Sequence, residues 1–217
     1  ENGGGKEIMQ ELLGSYGLHF IGVSTPGLEA FVSRVPLDGV DDLKGVKVRS
    51  PEGPIANVFA AAGAAPVNLP ASEVYTSLDK GVVDAADYSV FSVNQQQGLN
   101  KVANHPVYPG FHSLPLVEVS MTKAKWDALP DDVKTMLEET VKEFQQTQIN
   151  GLKAADQKAL EEAKADGSIT IHDWSAEERT KFRTLAVAEW ERIAKGSPMS
   201  QKVFDTLTTY LKEKGLL

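Results

Sequence analysis

The chain has 217 residues, 41% of them hydrophobic and 24% charged, which fits one large or two small domains with a proper core and excludes a disordered or low-complexity protein. It has no cysteine, which rules out a disulfide framework, a zinc knuckle, an iron–sulfur site and a thiol nucleophile. A formal net charge of −8 argues against a sequence-independent grip on nucleic-acid phosphates, and no apolar run approaches the ~18 residues of a membrane-spanning helix.

Taken in chain order, Glu1-Asn2-Gly3-Gly4-Gly5 is an unusual start, because a helix reads almost at once from Lys6 to Leu13; a segment is expected upstream. Leu18–Gly22 is a short apolar strand, followed by a turn at Ser24-Thr25-Pro26-Gly27 and an alternating strand over Ala30–Val35. Strand Val46–Ser50, helix Pro54–Ala62, strand Ala65–Val67, helix Ser72–Lys80 and an extended segment from Asp84 to Tyr88 then alternate with short links. That order predicts a parallel sheet covered by helices.

Past Leu99 the texture changes: Val102–Pro109 is broken by prolines and Leu116–Met121 alternates like a strand. From Asp131, with Pro130 at the first turn, Val133, Met136, Leu137, Val141 and Phe144 keep a helical period that extends to Gly167. At 1.5 Å per residue this helix is about 50 Å long, too long for one lobe of ~100 residues. Ser175-Ala176-Glu177-Glu178 has capping-box spacing before a helix closed by Gly196, and a last amphipathic helix carries Val203, Phe204, Leu207, Tyr210 and Leu211.

Most candidate motifs read as structure. His19, His105, His112 and His172 are scattered without the i,i+4 spacing of a helical metal pair. Gly3-Gly4-Gly5-Lys6 lacks the hydroxyl residue a phosphate loop needs, and Ser24 sits off the nucleophile-elbow spacing. The informative stretch is Asp42–Gly53, where a strand ends in Arg49 followed by Pro51-Glu52-Gly53. This puts a guanidinium at the carboxyl edge of a parallel sheet, where open α/β folds bind ligands, and its planar fork suits a carboxylate.

Asp42-Leu43-Lys44-Gly45-x-Lys47-x-Arg49, Ala62-Gly63-Ala64-x-Pro66-Val67, Ser72-Glu73-Val74-Tyr75 and Gly81-Val82-Val83-Asp84-Ala85-Ala86-Asp87 occur in one order and spacing. The set resembles the DctP-type solute-binding proteins of tripartite ATP-independent periplasmic (TRAP) transporters, from about Leu28 to the C-terminus. The resemblance implies an α/β, two-lobed periplasmic binding protein fold with a long helix spanning both lobes and the first lobe incomplete. Residues 1–23 are then a remnant of the first lobe, 24–113 the second lobe, 114–154 the returning strand and long helix of the first, and 155–217 the helical completion of the second. An exposed apolar face is expected around Val117, Val119 and the first half of the long helix.

The resemblance further implies that Arg49 clamps a substrate carboxylate and that Tyr88 lies against the ligand, in the branch binding 2-oxo and hydroxy acids. Asp87 and Glu29 are the candidate pair for a cation chelated with the substrate; hard oxygen ligands favour Na⁺, Ca²⁺ or Mg²⁺, and no cofactor is required. Glu29 and Glu52 are also placed to accept from a substrate hydroxyl or amine, and Phe31, Ala71, Phe91 and Asn94 are candidate pocket walls. The implied partners are a small organic acid and the large and small TRAP membrane subunits, in the periplasm, with the protein a monomer or dimer. An enzyme acting on a small carboxylate, or a ligand-sensing domain, is the alternative.

Overall fold

The computed structural model describes residues 3–217; Glu1 and Asn2, part of the unusual start, lie outside the described residues. The chain opens with helix α1 (Gly5–Ser15), strands β1 (Leu18–Ser24), β2 (Ala30–Ser33) and β3 (Lys47–Arg49), helix α2 (Pro54–Ala61) and strand β4 (Ala65–Val67). Helix α3 (Val74–Asp79), strand β5 (Ala85–Ser89) and the short helices α4 (Phe91–Gln96) and α5 (Leu99–Val102) follow. Strand β6 (Val117–Thr122) then leads into helices α6 (Lys123–Asp127), α7 (Asp131–Asp166), α8 (Ala176–Ala194) and α9 (Pro198–Glu213). None of these helices is long and apolar enough to cross a membrane.

The residues group into two compact units. The first runs to Thr25 and takes in Leu116–Gln148 and Trp190–Leu217; the second is Pro26–Pro115 with Ile149–Glu189. The 36-residue α7 belongs to both. Residues 190–217 fall in the first unit, whereas the expected division assigns all of 155–217 to the second. The difference has a local cause, because α9 packs against α1.

In the first unit β1 and β6 form an antiparallel pair, with Leu18 opposite Thr122 and Ser24 opposite Val117. Gly22 lets α7 approach closely: a Cβ there would stand 2.7 Å from Cγ1 of Val141. Phe20, Ile21 and Trp126 are buried, and His19 stacks on Trp126 with ring centroids 3.9 Å apart. Val117, Met136 and Phe144 are more than half exposed, and Val119 is half-buried.

The second unit is built on a four-stranded sheet of order β2-β5-β3-β4. β3 lies parallel to both β4 and β5, but β2 runs antiparallel to β5, so the sheet is mixed rather than wholly parallel. Helix crossovers impose the parallel order from β3 through β5; the link from β2 to β3 holds only a 3₁₀ turn at Val40–Leu43. The expected alternation over Ala30–Val35 is absent as well, because all four residues of β2 are buried. Successive side chains point to opposite faces. Phe31, Val48 and Ala85 join Phe59, Trp174 and Phe182 in one core. Val32 and Ala86 join Val74, Leu78 and Leu99 in another, and Ala159 and Ala163 of α7 pack on Ala30 and Phe91.

Several residues of the sequence motifs serve this frame. Oδ2 of Asp84 accepts from the Lys47 amide at 3.0 Å while its own amide donates to the Lys47 carbonyl at 2.8 Å, joining β5 to β3. Oδ2 of Asp42 accepts from the amides of Asp38 and Gly39 at 2.7 and 3.2 Å. Ser175 caps α8, its hydroxyl accepting from the Glu178 amide at 3.2 Å. Glu178 does not complete a capping box, since its carboxylate accepts from the Val40 amide at 2.8 Å instead.

Candidate functional site

Arg49 ends β3 and is buried, with 9% of its surface exposed. Two of its donors are committed to main-chain oxygens: Nε donates to Leu69 at 3.1 Å and Nη1 to Asp87 at 2.7 Å. Both bonds are worth more than neutral ones because the donor is charged. Together they fix the plane of the guanidinium. Arg49 pairs across the sheet with Ala86, so alternation puts it on the same face as Ala86 and Tyr88.

Glu29, Asp87 and His112 form a second group, each offering one ligand atom and all three atoms within 4.8 Å of one another. Nε2 of His112 lies 3.2 Å from Oδ1 of Asp87 and 3.9 Å from Oε2 of Glu29, and its side chain is fully buried. Phe31, Phe59 and Phe111 surround the imidazole with centroids 5.1, 6.0 and 5.3 Å away. Nδ1 has no hydrogen-bond partner. Nε2, which faces the carboxylates, is the nitrogen placed to donate to Asp87.

The two carboxyls are driven apart. Burial pushes Glu29 up; a hydrogen bond from Ser113 opposes it only in part, the charge of Asp87 adds to it, and the carboxyl titrates at about 7 instead of 4.5. Burial would raise Asp87 too. The hydrogen bond and electrostatic pull of His112, a hydrogen bond from Glu29 and the charge of Arg49 outweigh it, and hold Asp87 below its ordinary value. When protonated, Glu29 donates to ionised Asp87.

The loop carrying His112 is pinned from behind. Arg179 donates through Nη1 to the Gly110 carbonyl at 2.6 Å, through Nη2 to Pro109 at 2.7 Å and through Nε to Trp174 at 3.0 Å. Gly110 lies so close to the residue preceding β2 that a Cβ would stand 1.6 Å from the Glu29 carbonyl oxygen. Phe111 stacks on Trp174 with centroids 3.7 Å apart, and the Glu29 amide donates to the Ser113 carbonyl at 3.1 Å. None of this is visible as a motif. The one signal in the sequence is His112 following Gly110-Phe111 in a proline-broken stretch.

The other candidates are placed differently. Phe31 and Phe91 have no exposed surface and Asn94 has 1%, so they are core residues, not pocket walls. Phe31 is enclosed by aromatic rings, and Nδ2 of Asn94 donates to the Ala30 and Ser89 carbonyls at 3.1 and 2.9 Å. Glu52 is exposed and accepts from Nδ2 of Asn68 at 2.9 Å. Ala71 is exposed at the start of a 3₁₀ turn. Tyr88 is half-buried against the Val32 and Val74 core, so alternation separates its ring from the side chain of Asp87.

A mixed α/β unit with a buried arginine at a strand's carboxyl end, joined by a long helix to a second unit, defines a ligand-binding architecture. The family model of the bacterial extracellular solute-binding proteins, family 7 (DctP), matches residues 1–197, and the chain belongs to that family. It is 31% identical over 168 residues to the C4-dicarboxylate-binding periplasmic protein DctP of Rhodobacter capsulatus, covering 77% of this chain and 47% of that protein. It is 26% identical over 213 residues to a monocarboxylate 2-oxoacid-binding periplasmic protein of Nostoc sp., covering 97% and 58%. The chain thus spans about half the length of the curated relatives it matches.

Among solved structures, a TRAP periplasmic solute-binding protein from Rhodobacter sphaeroides, apo and open, is 72% identical with a TM-score of 0.87, over 100% of this chain and 69% of that one. Two more distant proteins, both 25% identical, carry ligands. The one from Pseudoalteromonas atlantica has sodium and pyruvate bound, at a TM-score of 0.82 over 97% of this chain and 64% of that one. The one from Colwellia psychrerythraea has calcium and pyruvate, at 0.84 over 97% and 65%.

Proposed function

We propose that this chain is part of an extracytoplasmic, periplasmic solute-binding subunit that captures a small organic acid of the 2-oxo or 2-hydroxy class. It delivers the acid to the large and small membrane subunits of a TRAP transporter driven by an ion gradient. The observation that carries this reading is the prepaid guanidinium of Arg49, whose Nε and Nη1 are held by the Leu69 and Asp87 carbonyls. With those bonds already made, the substrate carboxylate meets a fixed fork and little side-chain entropy is lost on binding. Tyr88, on the same face, is the aromatic wall of the same site.

Capture here is a shift in population: ligand occupancy favours the closed form by its differential affinity, and the closed form is what the membrane subunits receive.

Glu29 and Asp87 are the residues for a co-bound cation. The donor set fits a hard ion, because two buried carboxylates converge within 4.8 Å of each other and of His112. Coordination through Nε2 would move the His112 proton to Nδ1, where no acceptor stands. His112 therefore orients Asp87, and the oxygens favour Na⁺, Ca²⁺ or Mg²⁺. Such an ion supplies positive charge against which a 2-oxo or 2-hydroxy oxygen is held.

A thermal-shift and calorimetric screen of pyruvate, longer 2-oxo acids, 2-hydroxy acids and C4-dicarboxylates on the full-length protein, with calcium or with a chelator, tests both parts. Stabilisation by a 2-oxo or 2-hydroxy acid, stronger with calcium, is expected. Binding of a neutral sugar or polyol and of none of the acids would overturn the reading.

A further inference from the structure

Two histidines that the proposed ligand site does not use meet near the Ser33 end of β2, where the His105 amide donates to the Ser33 carbonyl. Nδ1 of His105 and Nε2 of His172 are 3.0 Å apart, although 67 residues separate them in sequence. The other nitrogen of His172, Nδ1, lies 2.7 Å from Oδ1 of Asp38, 134 residues away. His172 is buried, His105 half-buried and Asp38 exposed, so the pair is anchored on one side and open to solvent on the other.

We propose that His105 and His172 form a binding site for a borderline divalent metal ion of the copper, nickel or zinc class, with Asp38 as the outer partner that orients His172. Nitrogen–metal bonds of about 2.0 to 2.1 Å to two nitrogens at this separation subtend an angle of roughly 90°, that of neighbouring positions in square-planar or octahedral coordination. In the metal-free protein the His172 Nδ1–H donates to Asp38 and its Nε2 accepts from the Nδ1–H of His105. Binding needs a shift of the His105 proton from Nδ1 to Nε2, which frees the Nδ1 lone pair, and a tilt of the two rings so that both lone pairs meet at the ion; no proton is lost. Water fills the remaining positions.

The carboxylate behind His172 distinguishes this pair from a chance contact of two rings. A histidine that ligates a metal characteristically donates its second N–H to a carboxylate or carbonyl, which fixes its tautomer and makes the ligating nitrogen more basic. His172 already has that partner, and its backbone is fixed on both sides, its amide donating to the Pro106 carbonyl at 2.9 Å and its carbonyl accepting from the Tyr108 amide at 2.8 Å. An ion here would join the loop at Asp38, the segment at His105 and the segment at His172, which bridges to Val107.

The test is a titration of the full chain with Cu²⁺ followed by electron paramagnetic resonance, with Ni²⁺ and Zn²⁺ measured by calorimetry. One ion with two-nitrogen hyperfine structure is expected, together with a rise in the thermal midpoint. His105→Gln, at a half-exposed position, should weaken binding at least tenfold, and Asp38→Asn about tenfold, the usual cost of losing an outer partner. The cluster at Glu29, Asp87 and His112 has a single imidazole, so a one-nitrogen spectrum in the unmodified protein would overturn the proposal. So would unchanged affinity in His105→Gln, or no binding of any of the three ions.

Discussion

Nη1 of Arg49 donates to the main-chain oxygen of Asp87 at 2.7 Å, so the residue proposed to hold the ligand's carboxylate also holds the strand that carries the carboxyl proposed for the cation. The two halves of the candidate site are mechanically one. Moving Arg49 disturbs β5 as well as the guanidinium.

Arg49→Ala should therefore abolish acid binding, at least a hundredfold by calorimetry, and also lower stability by about 1 to 3 kcal/mol, because the buried Leu69 and Asp87 carbonyls lose a charged donor. Arg49→Lys should not restore binding, since an ammonium lacks the planar fork. Unchanged affinity in either variant would remove Arg49 from the site.

Glu29 makes stability depend on pH with a definite sign. Its carboxyl titrates at about 7 in the folded protein against 4.5 ordinarily, so the folded state holds a proton that the unfolded state has given up. Its contribution is fully present below about 4.5 and is lost as pH rises through about 7. Denaturation of the metal-free protein in chelator should show stability falling across that window, and Glu29→Gln should flatten the slope. An unchanged slope in that variant would place the titration elsewhere.

Removing the imidazole beside Asp87 should release that carboxyl from its depressed value. The hydrogen bond from His112 Nε2 at 3.2 Å is the leading influence that lowers it. In His112→Leu, carbon-detected NMR titration should show Asp87 moving upward, while His112→Gln, which keeps a donor, should move it less. Equal shifts in the two variants would show that the hydrogen bond is not what holds Asp87 down.

Arg179 supports the site at a distance, through the carbonyls of Pro109, Gly110 and Trp174. Arg179→Ala should speed amide exchange over residues 109–113 and cost about 1 to 3 kcal/mol of stability, with no rescue by Lys. Protection unchanged across that loop would show that the stacking of Phe111 on Trp174 holds it alone.

The sequence by itself determined the alternation of strands and helices around β3 to β5, the full extent of α7 and the place of Arg49, all of which rest on short-range patterns. Hydrophobic period, a proline at a helix start and a charged residue closing a strand act within a few neighbours, and a local pattern records them. Only the tertiary structure decided that β2 runs antiparallel, that α9 packs on α1, that Phe31, Phe91 and Asn94 are core, and that His112 completes the group at Glu29 and Asp87. Asp87 and His112 are 25 residues apart and approach to 3.2 Å. That approach is set by a glycine pressed against the Glu29 carbonyl and by an arginine 69 residues further on. Contacts closed over such separations leave no period in the chain, and they become visible only when the sheet and its loops are assembled.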